Sequence, residues 1–344
     1  MTALLEVQDL KLGFRTEGGL ARVLDGVNFR IDAGQVMGLV GESGCGKTTL
    51  ARAVLGVLPH HAAQIDRGRI LFRGTDLLGA DPRMVNDRIR GRAITFVPQD
   101  PFTSFSPVFT VGAQIMDIMK WKSPRRPADN GGARLPALLR PYPGARRRAD
   151  RAAVLELLDA VQLPQPERIL AKYPHELSGG QRQRLMIAMA LLTEPDLVIA
   201  DEPTTALDVT IQAQILGLLR RLATERGVAV LLTTHDLGTA YEICDAITVM
   251  YAGQEVESAP IDRFFRSPAH PYTARLLASL PKSEGTVAGI PGEVPSLLRP
   301  PGGCRFNPRC DRAGPECTAE RPAATRRADF HLVRCHHPLA EAAP

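Results

Sequence analysis

Gly41-Glu42-Ser43-Gly44-Cys45-Gly46-Lys47-Thr48 spells a Gly-x4-Gly-Lys-Thr loop. It follows the apolar run Val36-Met-Gly-Leu-Val40 and opens a segment, Thr48 to Leu58, that reads as a helix. Strand, glycine-rich turn and helix in that order make a phosphate cradle. The glycines let backbone N–H groups wrap an anion, and the helix N-terminus adds positive potential. Lys47 would neutralise the β- and γ-phosphates of a nucleotide, and Thr48, with Thr49 beside it, would present a hydroxyl to Mg²⁺.

Three further apolar runs end in the same way. Ile94-Thr-Phe-Val97 leads through Pro98 to Gln99, Leu197-Val-Ile-Ala200 ends at Asp201 and Glu202, and Val228 to Thr234 ends at His235. Continuous apolar runs of this length suit strands buried on both faces. Ligands of open α/β sheets sit beyond the carboxyl ends of parallel strands, so the four endpoints are expected to converge. Asp201 would hold Mg²⁺ through water, and Glu202 would orient and polarise the attacking water. Gln99 would reach the metal and sense the γ-phosphate, and His235 would hydrogen-bond that phosphate. Phosphoryl transfer asks mainly for such placement and charge neutralisation.

Ser178-Gly179-Gly180-Gln181 precedes another helix, Gln181 to Leu192, and forms a second anion-binding turn. A small domain cannot readily aim this turn and its own phosphate loop at one nucleotide. Two chains arranged head to tail can, so Ser178 is expected to face the nucleotide of a partner.

The remaining texture frames these motifs. Leu5, Val7, Leu10, Leu12 and Phe14 alternate roughly, as do Val27, Phe29 and Ile31, which predicts half-buried antiparallel strands. Ile211, Ile215, Leu218, Leu219 and Leu222 form one apolar stripe on a helix over 210–224. The net charge of the 344 residues is +5, but 120–151 carries ten Lys/Arg against two Asp, a local +8 that leaves −3 elsewhere. With its prolines and glycines this basic stretch reads as a surface loop or insert. A nucleic-acid surface would spread the excess more widely. The N-terminus shows no export signal and no run reaches membrane-span length, so a cytoplasmic chain is expected.

The motif order resembles the ATPase subunits of ABC transporters over essentially the full length. Phosphate loop, Gln99, Leu177-Ser-Gly-Gly-Gln181, Asp201-Glu202, Ala206-Leu-Asp208 and His235 appear in that family's sequence. The resemblance implies an α/β fold: a P-loop, RecA-like parallel-sheet core, an N-terminal antiparallel β subdomain, a helical signature subdomain and a small Cys-rich C-terminal extension. It divides the chain into an ABC nucleotide-binding domain over 1–259 (helical subdomain about 100–190, basic insert about 120–150) and an extension over 260–344. It implies ATP and Mg²⁺, places Asp208 in a dimer loop, and makes Phe14 the aromatic that stacks on adenine, against its plainer reading as a core strand residue.

Gln99-Asp-Pro-Phe-Thr-Ser-Phe-Ser-Pro107, Pro203 to Gln214, His270-Pro-Tyr-Thr273 and Ile290-Pro-Gly-Glu-Val-Pro-Ser296 are similar to the oligopeptide/dipeptide importer branch. That branch imports peptides, and also nickel chelates, glutathione or some sugars. It implies a second ATPase subunit (a heterodimer, with a homodimer equally allowed by the motifs), two membrane-spanning permease subunits and, indirectly, an extracytoplasmic solute-binding protein. The segment after Gln99 would receive a short helix of a permease subunit. The chain would sit peripherally at the cytoplasmic face of the inner membrane, without a nucleic-acid partner. A non-transport ATPase of this fold is disfavoured: there is no heptad-bearing insert and only one cassette.

Of six cysteines, Cys304, Cys310, Cys317 and Cys335 crowd into the tail, spaced x5, x6 and x17. In a cytoplasmic protein a metal site fits better than disulfides. Four thiolates can hold a [4Fe–4S] cluster, the resembled branch carries such a pattern, and the lack of a Cys-x2-Cys knuckle weakens a zinc ribbon. Iron–sulfur, zinc and reduced thiols stay open on the residues alone. Cys244 reads as a small buried apolar residue, and Cys45 would make nucleotide binding sensitive to alkylation.

Overall fold

The computed structural model describes residues 3–59, 61–100, 104–126, 141–204, 209–280, 289–328 and 330–340. They form two compact units, Met1–Ala80 with Ala223–Pro344, and Asp81–Leu222.

In the first unit the alternating N-terminal segments form antiparallel strands, Leu5–Thr16 and Gly19–Ile31, in a four-stranded sheet completed by Ala63–Phe72 and Thr75–Asp76. Leu5, Val7, Leu10 and Leu12 are buried, as the alternation predicts. The second sheet of this unit has Val36–Val40 parallel to both Ala229–Thr234 and Ala246–Tyr251. Every residue of those three strands is buried. Each fully buried Val, Leu or Ile contributes about 1.5–3 kcal/mol, so runs like these anchor the unit. The tail joins this sheet: His331–Val333 pairs with Gln254–Pro260, and Thr325–Ala328 pairs with His331–Val333.

In the second unit Ile94–Val97 lies parallel to Leu197–Asp201. Helices Val111–Lys122, Gly144–Ala160, Pro166–Ala171, Gly179–Leu191 and Val209–Arg226 follow in chain order, the last ending in the first unit's part of the chain. Ile215, Leu218, Leu219 and Leu222 of the expected stripe are buried.

The basic stretch departs from the loop reading at both described ends. Lys120 and Lys122 close the helix Val111–Lys122, and the arginines from Arg146 onward lie in the helix Gly144–Ala160. Ala, Arg, Leu and Glu are good helix formers, and from 144 on they outweigh the preceding prolines. Asp150 is fully buried, accepts from Ser123 Oγ and Tyr142 Oη at 2.7 Å each, and lies 3.7 Å from Arg146. Residues 127–140 lie outside the described residues.

Candidate functional site

The phosphate loop sits at the carboxyl end of Val36–Val40, and Gly46 caps the helix Lys47–Leu55. Backbone geometry explains two of its glycines. Gly41 has φ +150, and a Cβ there would stand 2.1 Å from the Met250 carbonyl oxygen. Gly46 has φ +106, with Leu24 Cδ2 2.9 Å from the Cβ position. Side chains at either place would push the loop out of its cradle. Lys47 is 6% exposed and its Nζ donates to the carbonyls of Gly41 at 2.7 Å and Glu42 at 3.2 Å. Ser43 and Gly44 are exposed at the outer edge, and Thr48 and Thr49 are half-buried.

Cys45 corrects one expectation. It is buried, 1% exposed, and burial pushes its thiol pKa up. A buried, protonated thiol is a poor nucleophile, so alkylation is not a ready route to this loop. Cys244 is buried, as expected, against Gly38.

His235 follows directly on Thr234, which is in register with Val40 in the neighbouring parallel strand. Two endpoints read from sequence are thus adjacent within this unit. The turn is set by Asp236, whose N–H donates to Thr234 Oγ1 at 3.0 Å and whose carboxylate accepts from Gly238 N at 2.9 Å. Phe14, on Leu5–Thr16, is half-buried and stands in register with Ala21 and Ala63.

In the second unit the other two endpoints meet. Val97 is in register with Ala200, and Gln99 Nε2 donates to Glu202 Oε2 at 2.8 Å. Asp201 is 4% exposed. Glu202 holds φ +47, a left-handed backbone that non-glycine residues rarely adopt. Such strain, of order 1–3 kcal/mol, concentrates at functional positions. Ser178 caps the helix Gly179–Leu191 in a reciprocal box: its Oγ accepts from Gln181 N at 3.3 Å, and Gln181 Oε1 accepts from Ser178 N at 3.1 Å. Ser178 itself is exposed. Asp208 lies outside the described residues.

Sequence reasoning missed Gln183. It is buried, and its Nε2 donates to the Pro203 carbonyl at 2.6 Å, tying the Ser178 helix to the loop that carries Glu202. Its signal was faint: it stands among the polar neighbours Gln181, Arg182 and Arg184, and nothing local distinguishes it from them.

The tail cysteines also come together. Cys304, Cys310, Cys317 and Cys335 line one small pocket with His270, His336 and His337. Burial, with the neighbouring thiols adding to it, pushes Cys304 to about 11 and Cys335 to about 12, and it raises Cys310. His270 is 1% exposed; its Nδ1 accepts the Tyr272 N–H at 3.0 Å, and its Nε2 has no hydrogen-bond partner. Burial holds His270 down to about 4. Glu316, Cys317 and His337 place ligand atoms within 4.8 Å of one another.

A phosphate loop on one parallel strand pair and a strained carboxylate beside a glutamine on another define an α/β nucleotide-binding protein. A sequence profile described as "ABC transporter" matches residues 24–205, and one described as "Oligopeptide/dipeptide transporter, C-terminal region" matches 256–317. The chain is 41% identical to the dipeptide transport ATP-binding protein DppD of Bacillus subtilis, covering 97% of this chain and 95% of that one. It is 44% identical to the oligopeptide transport ATP-binding protein OppD of Mycobacterium tuberculosis, covering 97% of this chain and 52% of that one, so it spans about half of that relative's length. Among solved structures it resembles the dimeric bacterial ABC transporter cassette MJ0796, with TM-score 0.62 and 25% identity over 75% of this chain and 98% of that one. The chain belongs to the ABC transporter ATPases, in the oligopeptide/dipeptide ATP-binding branch.

Proposed function

We propose that this chain hydrolyses ATP as one of two paired ATPase subunits that power a peptide importer. One observation carries the pairing: the Ser178 turn is a helix N-terminus whose capping serine is exposed. An anion for it is supplied from outside the chain, and the γ-phosphate on a partner fits that chemistry. The cargo reading is supported by the relatives' names, peptide and dipeptide transport proteins.

In this reading Gly41 to Thr49 take the phosphates, with Lys47 as the counter-charge. Thr48, Gln99 and Asp201 serve Mg²⁺, Phe14 stacks on adenine, and Asp208 lies at the dimer contact. Glu202 orients water for in-line attack, held by Gln99, while His235 contacts the γ-phosphate. Residues 1–259 act as the ATPase domain and 260–344 as the importer-type extension. The exposed Val108 and Phe109, shortly after Gln99, are apolar and suit a permease helix. Among the described residues no helix is long and apolar enough to cross a membrane. In this reading, membrane attachment at the cytoplasmic face falls to the permease subunits.

Reconstitution with those permeases in vesicles tests the reading. Peptide-loaded binding protein is expected to stimulate ATPase activity, with ATP-dependent peptide uptake. Uptake of nickel chelates or glutathione without peptide uptake reassigns the cargo. Absence of any stimulation sinks the importer reading.

The cysteine pocket supports a metal group. Four clustered thiols, with burial raising the pKa values of Cys304, Cys310 and Cys335, gain from a cation that replaces their protons. The unpartnered His270 Nε2 lines the same pocket and would suit a sulfur-rich acceptor. We infer a [4Fe–4S] cluster on Cys304, Cys310, Cys317 and Cys335, which would brace the tail. The Glu316–Cys317–His337 grouping favours a second reading, a divalent ion such as zinc. Anaerobic purification is expected to yield brown protein with matched iron and sulfide. Stoichiometric zinc instead would select the second reading, and metal-free protein would remove both.

A further inference from the structure

Residues 304–310 read Cys-Arg-Phe-Asn-Pro-Arg-Cys, and a short turn at Asn307–Arg309 bends them back. Both arginine side chains are buried, at 2% exposure for Arg305 and 3% for Arg309. Long cationic side chains are seldom buried unless their charge and donors are matched. Those of Arg309 are matched by the phosphate loop. Its Nη1 donates to Glu42 Oε2 at 2.8 Å and its Nη2 to Glu42 Oε1 at 3.2 Å, a two-pronged pair. The other donors reach Tyr251 Oη at 3.2 Å, the Pro291 carbonyl at 2.9 Å and the Ile290 carbonyl at 3.0 Å.

Glu42 is the second residue of the phosphate loop, and it is gripped twice. Its backbone N–H donates to Tyr272 Oη at 3.0 Å, and Tyr272 packs on Tyr251 and Phe306 with ring centroids 4.6 and 5.3 Å apart. Its carbonyl in turn accepts from Lys47 Nζ. Arg305 holds the turn that meets the loop at Cys45. It donates to the carbonyls of Ala252 and Arg22, and Gly253, next to Ala252, donates its N–H to the Cys45 carbonyl at 2.8 Å.

We propose that Arg309, reaching back from the C-terminal extension, is a positioning residue for ATP binding: its fork on Glu42, with the Tyr272 hydroxyl, holds the phosphate loop in its receptive form. The proposal rests on reading Gly41–Thr48 as the ATP phosphate site and is independent of what fills the cysteine pocket. Arg309 touches no reacting atom. Its effect runs through the Glu42 backbone, whose two ends hold the loop N–H and the Lys47 ammonium.

The test compares Arg309→Lys, Glu42→Gln and the double variant in the full chain, reading the MgATP dissociation constant, and the KM and kcat in the assembled transporter. Lysine keeps the charge but loses the fork. Both singles are expected to weaken MgATP binding and raise KM about tenfold with kcat within about twofold, because only ground-state positioning is lost. The double is expected to be no worse than the worse single, as for one shared interaction. If Arg309→Lys fails to fold, Tyr272→Phe with Glu42→Gln carries the same readouts, since both leave Arg309 on the Ile290 and Pro291 carbonyls. Unchanged MgATP affinity in variants with lowered melting temperature would make Arg309 a tether for the tail only and overturn the proposal. So would loss of affinity in Glu42→Gln without loss in Arg309→Lys or Tyr272→Phe. Absence of MgATP binding by the unaltered chain would instead sink the ATP-site reading beneath it.

Discussion

Glu202→Gln is expected to lower steady-state ATP hydrolysis at least about 100-fold, the scale of a lost general base, while leaving MgATP binding in place. The amide matches the carboxylate in size and still accepts a hydrogen bond, so the 2.8 Å contact from Gln99 Nε2 can persist. It cannot take a proton or polarise water as a carboxylate does. The left-handed backbone at Glu202, φ +47, aims the side chain and is unchanged by this swap. With ATP bound and not consumed, the paired state should accumulate. Turnover by product release and light scattering of the ATP-loaded sample check both halves. Undiminished turnover removes Glu202 from the chemistry.

Gly179→Asp is expected to cut hydrolysis by a similar factor of about 100 through a different route, the loss of a preorganised anion site. A Cβ at Gly179 meets nothing within 4 Å, so the substitution has room. An acidic residue in the first turn also suits the helix dipole, which argues against unfolding as the cause. What the carboxylate opposes is the triphosphate that the turn would receive from a partner. The variant's own MgATP affinity should therefore stay unchanged while turnover fails. Full turnover by Gly179→Asp would show that the Ser178 turn faces no nucleotide, and the two-subunit account would fail with it.

The motifs themselves were readable from sequence because each does its work with contiguous backbone. Gly41 to Thr48 needs only a strand before it and a helix after it, and both occur as expected at Val36–Val40 and Lys47–Leu55. Ser178 and Gln181 stand three apart, the spacing of a capping box, and they cap each other. The basic stretch misled because prolines and arginines describe composition, while the helix Gly144–Ala160 is decided by the run that follows. Nothing local marks Asp150 as buried, since its partners Ser123 and Tyr142 lie 27 and 8 residues before it, outside that helix.

Sequence alone determined the strand ends, the phosphate loop, the carboxylate pair and the signature turn, since periodicity and glycine spacing are local properties of the chain. Tertiary structure alone decided that Gln183 holds the Pro203 carbonyl, that four spaced cysteines share one pocket, and that Arg309 grips Glu42 across a separation of 267 residues. The physical reason is that such contacts depend on which strands neighbour one another. The order of strands is fixed by the packing of whole buried faces, which no window of sequence contains.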